Sequence, residues 1–218
     1  MSRSISEENY LKAIYAICSE EGKGASTNAI AKRLDTRASS VTDMIRKLSE
    51  KGYVNYRKYK GTELTKNGEE IALNIIRKHR LWEVFLVDKL HFGWEEVHEV
   101  AEQLEHIRSP KLIQRLDTFL EHPQYDPHGD PIPDENGVIK ERKSVLLSEL
   151  ENGQQGFIIG VTDTSPEFLQ FLKDRGLTIG TEVTLKNRYD FDGSVEIDIS
   201  GNGSMMLSDM VNRNISIS

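Results

Sequence analysis

The stretch "SSVTDMIRKLSEKGYV", residues 39–54, sets Val41, Met44, Ile45 and Leu48 at helical spacing and closes on Lys51-Gly52. Apolar side chains at that spacing form one stripe of an amphipathic helix, and a glycine just past the last turn supplies the left-handed residue that ends it. Downstream, "YVNYRKYKGTELT" (53–65) alternates apolar and polar and turns at Lys60-Gly61, which predicts a β-hairpin. Upstream, "DTRAS" (35–39) is a tight turn, with Ser39 or Ser40 opening the helix that follows it. Before it stands a short helix, "NAIAKRL" (28–34), capped by Ser26 or Thr27, with Ile30 and Leu34 inward. Residues 5–20 form the first helix, with Ser6 and Glu8 near its start and Tyr10, Leu11, Ile14, Tyr15, Ile17 and Cys18 recurring near a period of 3.6. A helix, then two short helices joined by a tight turn, then a hairpin is the order of a winged helix-turn-helix, whose second short helix enters a DNA major groove.

The rest of the chain changes texture twice. A long helix is predicted over 66–92, a second from about Trp94 to Ile107, and a third from Pro110 to about Leu120, with proline at the first helical position it tolerates. "EHPQYDPHGDPIPDENG" (121–137) holds four of the six prolines and reads as a loop or linker. From about Val145, "GFIIGVTD", "TEVTLKNRYDFDGSVEIDIS" and "NGSMMLSD" are short β-like runs around one helix, "SPEFLQFLKDRG", which predicts a small SH3-like β-barrel. The expected fold class is therefore mainly α with a β C-terminal module. Its expected parts are a winged helix-turn-helix at 1–73, a helical domain at 74–123, a Pro-rich linker at 124–145 and an SH3-like domain at 146–218.

At 218 residues, 37% hydrophobic and 29% charged, the chain can bury a real core. Its longest apolar run, "LWEVFLV" (81–87), is too short for a membrane span, and "MSRSISEENYLKAIY" lacks a signal peptide's apolar stretch, so a cytoplasmic protein is expected. The single cysteine, Cys18, rules out an internal disulfide and falls on an apolar helical face. Net charge is −7, but residues 32–66 carry ten Lys and Arg against four Asp and Glu, leaving the remainder near −13. That asymmetry suggests an anion-binding module on an acidic body. Arg37, Ser39, Ser40, Thr42 and Asp43 stand where helix-turn-helix proteins reach base edges, with Thr27 on the preceding helix. Arg46 and Lys47 a turn later, and Arg57, Lys58 and Lys60 on the hairpin, are placed for phosphates.

A second pattern lies in "VHEVAEQLEHI" (97–107), where His98, Glu102, Glu105 and His106 recur at i, i+4, i+7 and i+8 beside an apolar stripe. "KHRLWE" (78–83) adds His79 and Glu83 at i, i+4 on the preceding helix. Imidazole with carboxylate and no thiolate suits a divalent first-row metal better than structural zinc. "HEVAE" (98–102) misses the zinc-protease pattern because position 102 is Glu, and Glu95/His98 is the only Glu-x-x-His pair where a di-iron site needs two. A di-metal enzyme and a metal-independent DNA-binding protein are the alternatives these residues leave open.

"ENYLKAIY", "SSVTDMIRKLSEKGYV", "LTKNGEEIA…RKHRLWEVFL", "VHEVAEQLEHIRS" and "DPHGDPIP" together resemble the diphtheria-toxin-repressor family of metal-dependent transcriptional regulators, nearly end to end. Within it the chain is most similar to the manganese-transport-regulator branch with a C-terminal SH3-like domain. The resemblance implies a homodimer paired through the helices of 66–120 and bound to a palindromic double-stranded DNA operator. It implies neither a membrane nor an organic small-molecule substrate, and no enzymatic activity. It implies a primary metal site of Asn9, Glu102, Glu105 and His106, and an ancillary site of His79, Glu83 and His98 completed by Glu167 or a neighbour in "DTSPEF". Glu102 stands where iron-sensing members carry Cys, and a harder oxygen ligand leans towards Mn²⁺, with Fe²⁺ as the alternative. Asn9 and Lys12 stand where the manganese branch has acids. The function this implies is a metal-dependent repressor of metal uptake genes, in which metal orders the dimer for its operator.

Overall fold

The computed structural model describes residues 3–57, 60–140, 142–201 and 203–218, which fall into two compact units. The first comprises residues up to 79, 102–113 and 133–139; the second comprises 80–101, 114–132 and 140–218.

In the first unit, α1 (Ile5–Glu21) starts at the predicted residue and runs one residue further than its apolar period suggests. Ser4 is the N-cap: its hydroxyl accepts from the Glu7 N–H at 3.2 Å, and the Glu7 carboxylate accepts from the Ser4 N–H at 3.1 Å. This reciprocal box satisfies two backbone donors that a helix start leaves unpaired. Gly22, at φ 63°, ends the helix. α2 (Thr27–Arg33) is capped by Ser26, and α3 (Ala38–Glu50) begins at Ala38, so Ser39 and Ser40 lie inside its first turn and neither caps it. Tyr10, Leu11, Ile14 and Ile17 of α1 share one buried cluster with Ile30, Val41, Ile45, Leu48, Val54 and Ala72. The hairpin is β1 (Val54–Arg57) and β2 (Gly61–Leu64), turning at Gly61 with φ 85°. β2 also bridges to Ala25, so the wing is tied to the segment before α2.

The long helix α4 (Lys66–Leu90) gives residues 66–79 to the first unit and 80–90 to the second. Its start is fixed by Thr65, whose hydroxyl donates to the Gly52 carbonyl at 2.8 Å and accepts from the Gly68 N–H at 3.1 Å. Gly68 is required there: a Cβ at that position would drive into the Tyr53 carbonyl oxygen, a backbone atom that cannot swing away. Gly68→Ala should therefore destabilise the protein by about 1–3 kcal/mol through overpacking, although alanine favours helix by about 1 kcal/mol. Urea unfolding of the two proteins checks this; a stabilised variant would refute the packing argument.

α5 (Val97–Leu104) is shorter than the predicted helix, and α6 (Pro110–Phe119) follows. Trp94 does not begin α5, because its ring is taken into the apolar cluster of the second unit. Glu105 and His106 lie in the turn after α5 rather than on it.

The C-terminal part of the second unit is a six-stranded antiparallel sheet in the order β3-β8-β4-β5-β6-β7, with β3 (Val145–Leu146), β4 (Gln155–Val161), β5 (Glu182–Arg188), β6 (Val195–Ile199), β7 (Gly203–Leu207) and β8 (Ile215–Ile217). Register shifts between Ile158 and Gly160 and between Leu185 and Asn187 bend the strands, which lets a small sheet curl. α7 (Pro166–Lys173) buries Phe168, Leu169 and Leu172 in a cluster with Val183, Leu185, Val195, Ile197 and Ile215. Among the described residues no helix is long and apolar enough to cross a membrane. The fold is an N-terminal winged helix-turn-helix, a helical region and a small SH3-like sheet domain.

Candidate metal centres and DNA-binding face

In the first unit the chemistry gathers on Glu105, whose side chain is 0% exposed. The Lys12 ammonium donates to both of its oxygens at 2.8 Å and also to the Glu102 carboxylate. His79 Nδ1 lies 2.6 Å from Glu105 Oε2, and His106 Nε2 lies 3.7 Å from Oε1. Lys78 donates to the Glu105 backbone carbonyl. Burial alone would raise the Glu105 carboxyl, but the His79 hydrogen bond and the Lys12 charge outweigh it and hold the group below the ordinary carboxylate range. Burial pulls the Lys78 ammonium below the ordinary lysine range, against the charges of Glu8 and Glu105.

α1 closes this cluster. Glu8, buried, lies 2.8 Å from His106 Nδ1, which leaves Nε2 towards Glu105. A carboxylate behind one imidazole nitrogen fixes the ring and the tautomer for a ligand at the other. Glu8 and Lys12 are i, i+4 on one helical face, and Asn9 sits in the same turn. The Asn9 Oδ1 atom is buried and has no hydrogen-bond partner among the described residues, an unfavourable state for an amide oxygen. Carboxylate, imidazole and an unsatisfied amide oxygen fit a hard or borderline divalent cation, and His79, Glu102 and Glu105 already present ligand atoms within 4.8 Å of one another.

The stripe expected along one helix thus splits. Glu102, Glu105 and His106 turn into the first unit, and His98 faces Glu83 in the second, with Nδ1 3.4 Å from the carboxylate. His79 precedes Glu83 by one turn of α4 but bonds to Glu105. Glu167 stands exposed in the first turn of α7, outside the ligand groups formed by the described residues.

Sequence reasoning missed a cluster in the second unit. Glu83, Asp126 and His128 are all buried, with ligand atoms within 4.8 Å of one another. The Asp126 carboxylate accepts from the N–H groups of His128 and Asp130 at 2.8 and 2.9 Å. His128 Nε2 donates to the Trp94 carbonyl at 2.8 Å, and Nδ1 lies 3.8 Å from Glu83. Burial and the Glu83 charge raise the Asp126 carboxyl to about 7. Burial would lower the His128 imidazole, but the Glu83 carboxylate outweighs it and raises it to about 9. A metal here must displace the proton on His128. "DPHG" reads as an ordinary turn, and only folding reveals that it delivers two ligands to a buried glutamate. His122 behaves as a loop histidine, exposed and 2.8 Å from Asp117.

The basic face is open. Arg37, Ser39, Ser40, Thr42, Asp43, Arg46, Arg57 and Lys60 are exposed, Thr27 is half-buried, and Lys58 lies outside the described residues. Four of the described side chains on this face have internal partners: Thr42 donates to the Ala38 carbonyl, Arg46 and Asp43 pair with each other at 3.0 Å, and Lys47 pairs with Glu7 at 2.9 Å. No side chain caps the start of α3, leaving its first N–H groups to solvent or an anion.

Comparison with known proteins agrees with this layout. Residues 4–62 match the iron dependent repressor N-terminal DNA binding domain, 65–134 the iron dependent repressor metal binding and dimerisation domain, and 145–218 the FeoA domain. The chain is 32% identical over 212 residues to the iron-dependent repressor IdeR of Mycobacterium tuberculosis, covering 92% of this chain and 91% of that one. An uncharacterized HTH-type transcriptional regulator of Methanocaldococcus jannaschii is 40% identical over 121 residues, 56% of this chain and 95% of that protein. A solved manganese-dependent transcriptional repressor in complex with manganese superposes with a TM-score of 0.83 at 32% identity, over 97% of this chain and 98% of the other. The chain therefore belongs to the iron-dependent, diphtheria-toxin-repressor family of metal-dependent DNA-binding repressors, which are transcriptional regulators and not enzymes.

Proposed function

We propose that this chain is a cytoplasmic, homodimeric repressor of metal uptake genes that binds a palindromic operator when loaded with Mn²⁺, with Fe²⁺ as the competing activator. The observation that carries the reading is the double engagement of one turn of α1. Glu7 pairs with Lys47 of α3 at 2.9 Å and with Lys51, which caps its C-terminal end, at 2.7 Å, while the adjacent Glu8 holds His106 and Lys12 holds Glu102 and Glu105. Whatever fixes the cluster fixes α1, and α1 carries the helix aimed at DNA.

Asn9, Glu102, Glu105 and His106 are the proposed ligands, with His79 supporting Glu105. A bound divalent cation would supply the charge that lets the two carboxylates and the amide oxygen converge. Glu102 contributes an oxygen where a thiolate would favour softer ions, which supports Mn²⁺. Glu83, with His98, Asp126 and His128, is the proposed second centre. Arg37, Ser39, Ser40 and Thr42 are proposed to read bases, with Arg46, Arg57 and Lys60 on phosphates. Metal and operator then favour one conformation, each tightening the other by about 5–150-fold, the ordinary range of such coupling.

The test is selection of binding sites from random duplexes at fixed salt, with chelator, Mn²⁺, anaerobic Fe²⁺ and Zn²⁺, alongside Glu102→Ala. A metal-dependent palindrome that Glu102→Ala no longer binds is the expected outcome. Equal binding in chelator would leave a DNA-binding protein without a metal switch.

A further inference from the structure

Lys12 occupies the place a metal would want. Its ammonium reaches both oxygens of Glu105 and one of Glu102, on a side chain only 20% exposed. With His79 on Oε2 as well, the Glu105 carboxylate already directs its lone pairs to donors. A cation that ligates Glu102 and Glu105 therefore meets a positive charge sitting on the same oxygens, in a partly buried site where charges are weakly screened.

We propose that Lys12 is the resident counter-ion of the metal-free protein, and that metal binds by displacing its ammonium from Glu102 and Glu105. This rests on the first-unit centre proposed above and adds the residue that sets its threshold. Lys12 and the metal compete for one carboxylate pair, so the apparent metal affinity is the intrinsic affinity reduced by the stability of the lysine contacts. The lysine offsets part of the charge of the two carboxylates in the metal-free centre, and in the same act raises the metal concentration at which the protein switches. The stem of Lys12 is four carbons long, enough for its head to leave for solvent without moving α1.

Mn²⁺ titration of the full chain by calorimetry tests this, with Lys12→Met, the charge-free Lys12→Gln, and Glu105→Gln to identify which isotherm belongs to this centre. Thermal unfolding in chelator is read in parallel. Displacement predicts about tenfold tighter Mn²⁺ binding in both Lys12 variants, a lower metal-free Tm, and a larger Mn²⁺-induced rise in Tm than the unaltered protein shows. A lysine that merely supports the fold would weaken binding or leave it unchanged, and either result overturns the proposal. If Lys12→Met does not fold, Lys12→Gln, which keeps a polar donor, makes the same comparison. Absence in the unaltered protein of any isotherm that Glu105→Gln removes would instead overturn the metal centre itself.

Discussion

Changing Glu105 to glutamine should lower Mn²⁺ affinity at the first-unit centre on the order of 100-fold or more and abolish metal-dependent DNA binding. Losses of about 10–100-fold are usual even for residues that only support a ligand. Glu105 is held at 0% exposure by Lys12, His79 and the turn that Lys78 grips through its backbone carbonyl. Glutamine keeps the volume and one acceptor but loses the charge, which separates ligation from folding. Glu105→Ala, by contrast, strands Lys12 and His79 against an empty space and should cost about 3–5 kcal/mol of stability as well, the usual penalty for breaking a buried ion pair. Calorimetry and chelator-buffered DNA binding check the first variant, and urea unfolding checks the second. Undiminished Mn²⁺ affinity in Glu105→Gln would remove Glu105 from the ligand set.

Glu7→Gln should cost about 2–3 kcal/mol at neutral pH, with allowance for solvent around the two lysines. One Glu7 oxygen caps α1 at Ser4 and the other pairs with Lys47 and Lys51. Burial alone would raise this carboxyl, but Lys51, Lys47 and the Ser4 N–H outweigh it and lower it from 4.5 to about 2. A carboxyl lowered on folding contributes stability that is complete above its unfolded value and is lost as pH falls towards the folded one. The stability difference between the unaltered protein and the Glu7→Gln variant should therefore be flat above about pH 5.5 and fade between pH 4.5 and 2. Urea midpoints at several pH values measure it. A difference that persists undiminished at about pH 2.5 would show that capping, and not the lysine pairing, dominates. DNA affinity in saturating Mn²⁺ should fall too, because Glu7 is the link from α1 to α3.

The winged helix was legible because each of its helices and both strands carries its own local signature: Leu11 and Ile14 at helical spacing, Gly52 and Gly61 at turns, alternation over 54–64. The metal face was legible in composition, but the end of the helix that carries it was not. Treating 97–107 as one helix put four ligands on one face, whereas the helix stops at Leu104, and Glu105 and His106 owe their positions to a turn. Periodicity cannot foresee that, because turn residues are placed by contacts far away in sequence: Lys12, Lys78 and Glu8. Lys12 at i+4 from Glu8 was visible as a pair on α1, but nothing local says that one of them meets a histidine and the other two glutamates. Asp126 and His128 were hidden for the same reason, their partner Glu83 standing on another helix behind a proline-rich loop. The boundary of the C-terminal domain was read from its β-rich texture; the tryptophan that plugs it, lying far upstream, was not.

That tryptophan bears on how such a domain can be gained or lost. Trp94 belongs to the same buried cluster as Leu147, Leu169, Val195 and Ile215, and the His128 carbonyl accepts from the Val161 N–H at 3.0 Å. The Methanocaldococcus relative is matched over 95% of its length by 121 residues, against 218 in this chain. In this chain the sheet is no detachable appendage. Excision after residue 139 would bare an indole and a loop carbonyl and leave a stump inclined to self-associate. Any shortened form of this chain must therefore replace Trp94 and the residues around His128 together with the sheet.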